Sequence, residues 1–95
     1  MVAIKITDHV EHASSYEDGQ KIFDLLVNEI KSDISVELSF QGIHAVPSAF
    51  INAALVQLIE VVPKEQIFRN LKITNSTKFI NELIKRRFSF VGEGQ

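Results

Sequence analysis

From Ile34 to Phe40 the chain alternates almost perfectly between apolar and polar side chains, with Ile34, Val36, Leu38 and Phe40 on one side and Ser35, Glu37 and Ser39 on the other. Side chains of an extended chain point to opposite faces with a period of two, so this segment predicts a β-strand with one buried face. Such a strand needs neighbouring strands and a layer to cover its apolar side. The flanking sequence offers both. The run Val2-Ala3-Ile4-Lys5-Ile6 is short and β-branched and predicts a first strand, followed by a polar loop over 7–15. Leu71-Lys72-Ile73-Thr74 predicts a third strand.

Helical periodicity fills the gaps between them. Ser14 and Glu17 stand at capping-box spacing, and Glu17 with Asp18 suits the positive end of a helix. Ile22, Leu25, Leu26 and Ile30 then recur at helical spacing, widened by Phe23 and Val27, to an end near residues 31–33. Pro47-Ser48 opens a second helix reaching about Val62, where Pro63 breaks it. Its apolar positions, Phe50, Ile51, Ala53, Ala54, Leu55, Val56, Leu58 and Ile59, cover much of the circumference. A helix of that kind is either mostly buried or offers a second apolar face to a partner. Residues 64–68 read as one short turn. Asn75-Ser76 is placed to cap a third helix with Phe79, Ile80, Leu83, Ile84 and Phe88 on one face. Phe88-Ser89-Phe90-Val91 reads as a short edge strand, and 92–95 as a loose tail.

Strands alternating with helices imply crossover connections. The expected fold is α/β, a small mostly parallel sheet of three to four strands with three helices, forming one domain over residues 1–95. Strand order is not encoded in this pattern.

Composition narrows the function classes. The formal charge of −2 and an isoelectric point near 5.9 give no global field for nucleic acid. The chain has no cysteine, which excludes a disulfide scaffold, thiol catalysis and thiolate metal sites. Residues 1–8 lack a signal-peptide pattern. The longest apolar stretch, 50–62, is interrupted by Asn52, Gln57 and Glu60 and is too short to span a bilayer. The expectation is a cytoplasmic protein with no membrane and no nucleic-acid partner.

Catalytic signals are few. The four glycines, at 19, 42, 92 and 94, build no phosphate-cradling loop. His9 and His12 stand three apart in a loop, but no further ligand follows at metal spacing, and solvated loop histidines explain them. His44 near Ser48 makes two members of a nucleophile arrangement without a third group to orient the base. Lys85, Arg86 and Arg87 read as a solvated helix end matched to the dipole. The expectation is therefore no catalytic residue, no metal, no cofactor and no enzymatic activity. Ser48 carries two readings. As a favoured N-cap residue it has a purely local role. Alternatively, a phosphate on an exposed serine at a helix N-terminus would be stabilised by free N–H groups, and about two added negative charges would break an apolar interface.

The segment Val36-Glu37-Leu38-Ser39-Phe40-Gln41-Gly42-Ile43-His44-Ala45-Val46-Pro47-Ser48-Ala49-Phe50 resembles the core of STAS-like domains, in which an alternating strand ends in a glycine turn and a serine-bearing step starts a helix. Leu71 to Ser76 and the helix after it match at the same spacing, and Tyr16-Glu17-Asp18-Gly19 resembles the largely uncharacterised STAS-like branch; the likeness covers about residues 15–88. The resemblance implies a small α/β domain related to anti-sigma factor antagonists, whose central helix docks a protein partner. In those antagonists the partner is a histidine-kinase-like ATPase acting as a serine kinase, and phosphorylation releases it. By position Ser48 is the matching serine. Where the family has Asp-Ser-Ser-Gly, this chain has Pro47-Ser48-Ala49-Phe50, without the acidic residue or the glycine. The implied partner-binding residues are His44, Ala45, Val46, Ser48 and Asn52. A different class of function, small-molecule or nucleotide sensing, would use a pocket at the strand C-terminal ends, with Gln41, His44, Ser48, Asn75 and Ser76 as lining. A homodimer interface is a third use of the apolar excess.

Overall fold

A computed structural model describes residues 1–93, with side chains described through residue 88. Three strands, β1 (Val2–Lys5), β2 (Val36–Ser39) and β3 (Leu71–Thr74), form one sheet in the order β1-β2-β3, both pairs parallel. The register aligns Val2 with Val36 and Leu71, and Ile4 with Leu38 and Ile73. This line of apolar residues is the face that joins the hydrophobic core. The opposite face carries Ala3, Lys5, Glu37, Ser39, Lys72 and Thr74, all exposed or half-buried. Parallel sheets are ordinarily covered on both faces; this one is covered on one among the described residues, and the alternation from Val36 to Phe40 is its signature, whereas Ile34, expected on the buried face, lies outside β2 and is 40% exposed.

The other layer is helical. Helix α1 (Tyr16–Lys31) is followed, after β2, by the central helix α2 (48–61), which starts as Ser48–Ile51, widens into a π-turn at Asn52–Val56, and ends as Gln57–Val61. Helix α3 (Lys64–Asn70) leads into β3, and α4 (Lys78–Glu93) closes the described chain. Helix α2 lies between α1 and α4. This position consumes its nearly all-round apolarity: Phe50, Ile51, Ala53, Ala54, Leu55 and Leu58 are all buried.

Local chemistry explains most boundaries. The N-cap of α1 is Ser15, one residue beyond the expected Ser14; its side chain accepts from the Asp18 N–H at 3.1 Å, and Asp18 accepts from the Ser14 N–H. Two adjacent serines both suit the cap, each with an acid three residues on, so the local pattern does not separate them. Helix α4 is capped by Thr77, whose hydroxyl accepts from the Ile80 N–H at 3.2 Å, and not by Asn75-Ser76. Asn75 instead takes the left-handed conformation that ends β3, at φ 52°. The turn expected at 64–68 is a full helix, making four α-helices among the described residues where three helices were expected. The expected edge strand Phe88-Ser89-Phe90-Val91 is absent because α4 runs on to Glu93. Nothing between Arg87 and Phe88 breaks the helix, and a short apolar run by itself does not distinguish strand from helix. Gly92, expected in a loose tail, therefore lies in α4, as does Glu93; the rest of that tail, 94–95, falls outside the described residues. Lys85, Arg86 and Arg87 consequently stand in mid-helix, and dipole matching at a helix end no longer accounts for them. No helix among the described residues is long and apolar enough to cross a membrane.

Candidate functional site

Three loops meet at the C-terminal ends of the strands, and hydrogen bonds between them set the geometry around the start of α2. After β2, Phe40, Gln41, Gly42 and Ile43 form a turn closed by the Ile43 N–H donating to the Phe40 carbonyl at 2.9 Å. Gly42 has φ +85°, the conformation that the third position of a type II turn requires and that glycine adopts without strain. The Ser39 hydroxyl accepts from the Gln41 N–H at 3.2 Å and from Asn75 Nδ2 at 2.9 Å, joining the loop after β2 to the loop after β3. Thr77 adds a second tie. Its hydroxyl donates to the His44 carbonyl at 3.0 Å while accepting from the Ile80 N–H, so one side chain caps α4 and fixes the approach to α2.

On this frame His44, Ala45, Pro47 and Ala49 are exposed, and Ser48 and Asn52 are half-buried. The structure brings four of the five expected binding residues, His44, Ala45, Ser48 and Asn52, onto one accessible stretch. Val46 is the exception. It is 4% exposed and packs into the core, so it anchors the loop from beneath and is not part of the surface. Along α2 the accessible stripe continues from Ala49 and Asn52 to the half-buried Val56 and Ile59, at helical spacing.

The N-cap position of α2 belongs to Pro47, with φ −75° and ψ 159°, and no side chain caps this end. Ser48 is the first helical residue, so the N-cap role does not account for it. The first intrahelical bonds run from the Phe50 and Ile51 N–H groups to the Pro47 carbonyl, leaving the Ser48 and Ala49 N–H groups directed out of the helix start.

The π-turn lies one turn further on. The Gln57 N–H reaches back five residues to the Asn52 carbonyl. The Ala53 carbonyl, which that N–H would take in an α-helix, instead accepts Gln57 Nε2 at 2.8 Å; the same nitrogen donates to Gln20 Oε1 on α1 at 2.9 Å. Opposite the bulge stands Gly19 of α1. A β-carbon there would lie 2.5 Å from the Phe50 carbonyl oxygen and 2.7 Å from the Ala53 β-carbon, so the two helices touch backbone to backbone. Sequence reasoning missed the role of Gln57 and the contact at Gly19; a glycine inside a helical run, costing about 1 kcal/mol relative to alanine, was the available signal.

Beside the exposed stretch a cleft of about 280 Å³ is lined by Thr7, Glu11, His12, Ala13, Ser14, Gly42, Ile43, His44 and Ala45. Of the residues expected to line a ligand pocket here, it includes His44; Gln41, Ser48, Asn75 and Ser76 do not line it. His12 and His44 share this cleft with Glu11, but no group of three or more histidine or carboxylate residues stands close enough to hold a metal ion among the described residues.

A family model described as a STAS-like domain of unknown function (DUF4325) matches residues 18–81, a span that includes β2, the glycine turn, Ser48, α2 and β3. No curated protein and no solved structure matches the chain.

Proposed function

The chain belongs to the family of STAS-like domains, and from that premise we propose that it is a cytoplasmic regulatory module that acts by docking a protein partner at the start of α2 and not by catalysis. The observation that carries this reading is Ser48. It stands at the first helical position beside exposed His44, Ala45 and Ala49, and no capping role accounts for it. A phosphate on its hydroxyl would meet the outward N–H groups of Ser48 and Ala49 and the positive end of the helix. It would also place about two negative charges at the edge of the apolar stripe Ala49, Val56 and Ile59. Docking before phosphorylation and release after it follow from those two effects. By resemblance to anti-sigma factor antagonists, the partner proposed is an ATP-binding serine kinase of the histidine-kinase-like type, which would recognise the loop without the acidic residue that precedes the serine elsewhere in the family.

The test is affinity capture with wild type and Ser48→Asp, followed by reconstitution of the captured protein in purified form. Direct binding weakened at least about tenfold by Ser48→Asp, and unaffected by an exposed substitution remote from the site such as Lys31→Ala, supports the switch. Equal binding by both variants retains the docking surface and discards the switch.

The cleft lined by Glu11, His12, Ser14 and His44 favours a second reading, the sensing of a small polar molecule or nucleotide. A ligand that raises the melting temperature of wild type but not of His44→Ala would move the assignment there, whereas a nucleotide panel without any shift would remove it.

A further inference from the structure

The helical layer is wider than the sheet beneath it. Three neighbouring strands span about 10 Å between outer axes, whereas α1, α2 and α4 packed side by side span about 16–20 Å. On the β1 side the mismatch is absorbed, since Ile4 and Ile6 are buried. On the β3 side it is not. Ile73 remains half-buried, and a groove of about 360 Å³ opens between α3 and α4, lined by Lys64, Phe68, Ile73, Asn81, Ile84, Lys85 and Phe88. Phe68 is 58% exposed and meets Phe88 edge to face with ring centroids 5.9 Å apart.

Three features of this edge define what fits it. Among the described residues strand β3 pairs with β2 alone, so its outer main-chain groups face away from the sheet. The groove is apolar on the helix side of that edge and holds two cations, Lys64 and Lys85, with no carboxylate among its lining residues. On the other side of the sheet Lys72 is exposed and makes no ion pair among the described residues. An added strand directs alternate side chains to the two faces. Apolar residues would enter the groove over Ile73, and acidic ones would stand beside Lys72.

We propose that the outer edge of β3 accepts an extended segment of a partner protein, alternating apolar and acidic residues, as a fourth strand. Main-chain bonds to β3 supply affinity, and the groove with the lysines selects the sequence. This surface is separate from the start of α2 and does not depend on the role of Ser48.

The test uses a fluorescein-labelled octapeptide alternating valine and glutamate, and its valine–lysine counterpart, read by anisotropy. Wild type should bind the glutamate peptide and discriminate against the lysine peptide. Lys72→Glu should weaken the first by about five- to tenfold and improve the second. Phe68→Ala should weaken the glutamate peptide several-fold. Both substituted positions are exposed, and circular dichroism verifies that each variant is folded. Amide exchange within Leu71–Thr74 should slow when the peptide is bound. Equal binding of the two peptides, no binding at millimolar concentration, or binding that leaves the β3 amides unchanged each overturns the proposal. Sedimentation showing self-association that protects the β3 amides without peptide would assign the edge to a second copy of the chain and would also overturn it.

Discussion

The two flanks of the central helix are built differently. On the α1 side the contact is at backbone distance: Gly19 faces the Phe50 carbonyl and Ala53, the π-turn widens α2 at that height, and Gln57 ties both helices together. On the α3–α4 side the closure is incomplete. Phe68 and Phe79 are 58% and 56% exposed, and Ile73 is only half covered. Close packing leaves a seam no freedom to admit anything else, while a loose apolar flank stays available to a partner. The start of α2, where Ser48 lies, is thus packed against α1 at backbone distance and tied toward α4 through the Thr77 hydroxyl.

Gly19→Ala is the strongest way to break this contrast. Its β-carbon collides with backbone and cannot be relieved by a rotamer change, so the helices must separate. The expected cost of overpacking, about 1–3 kcal/mol, outweighs the gain in helix propensity of up to about 1 kcal/mol. Each kcal/mol corresponds to about 4–8 °C in a domain of this size, so the melting temperature should fall clearly. A variant as stable as wild type would show that the seam is no tighter than the opposite flank. Gln57→Ala comes next. It strips the Ala53 carbonyl of its side-chain donor at the π-turn and should cost about 1 kcal/mol in urea denaturation. If it costs nothing, the side-chain bond to the Ala53 carbonyl adds no net stability and the bulge is not maintained by Gln57.

How much of this was legible in the sequence follows from the range of each interaction. The strand at Val36–Ser39, the amphipathic α1 and the break at Pro63 depend on neighbours within one or two turns, and the alternation announced a sheet covered on one face. The cap positions slipped by one or two residues because Ser14 and Ser15, or Asn75 and Thr77, are locally near equivalent and tertiary ties such as Thr77 to the His44 carbonyl select between them. Val46 illustrates a sharper limit. In a loop without periodicity nothing in the sequence says which residue turns inward, and Val46, expected on the surface, supports that surface from below. The strand expected at 88–91 failed for a related reason, since four apolar-rich residues suit either element and the preceding helix won by continuing. The overhang beyond β3 depends on layer widths and is invisible in any local pattern.

The loose flank supplies the third prediction. Phe68→Ala removes a large but mostly exposed ring, so its cost should stay below about 1 kcal/mol, against about 3–5 kcal/mol for a buried phenylalanine such as Phe50. Thermal unfolding of Phe68→Ala and Phe50→Ala together measures the contrast directly. A loss at Phe68 approaching that at Phe50 would mean that the groove is part of the core and not an open surface.

The smallest expected effect is at the clip that joins the two flanks near the N-terminal ends of β2 and β3. Asp33, in the left-handed conformation at φ 62° after α1, accepts from Arg69 at 2.8 Å and from Asn70 Nδ2 at 2.6 Å at the end of α3. Beside them Gln66 Nε2 donates to the Ile30 carbonyl at 2.7 Å and satisfies the C-terminus of α1. The Arg69 and Asn70 hydrogen bonds hold the Asp33 carboxyl below its ordinary value of 3.8. Because the folded pKa is the lower one, the contribution of this group is fully present above the unfolded value and is lost as pH falls through the folded value. Both Asp33 and Arg69 are more than half exposed, so the ion pair itself is screened and adds little. Asp33→Asn, which keeps the left-handed preference, should leave stability near pH 7 almost unchanged and flatten the stability profile below about pH 4. Denaturation at a series of pH values from 7 to 2 reads this difference. A parallel acid profile for wild type and Asp33→Asn would show that the clip is held by Asn70 and Gln66 without help from the charge, and that the two flanks are joined by neutral hydrogen bonds alone.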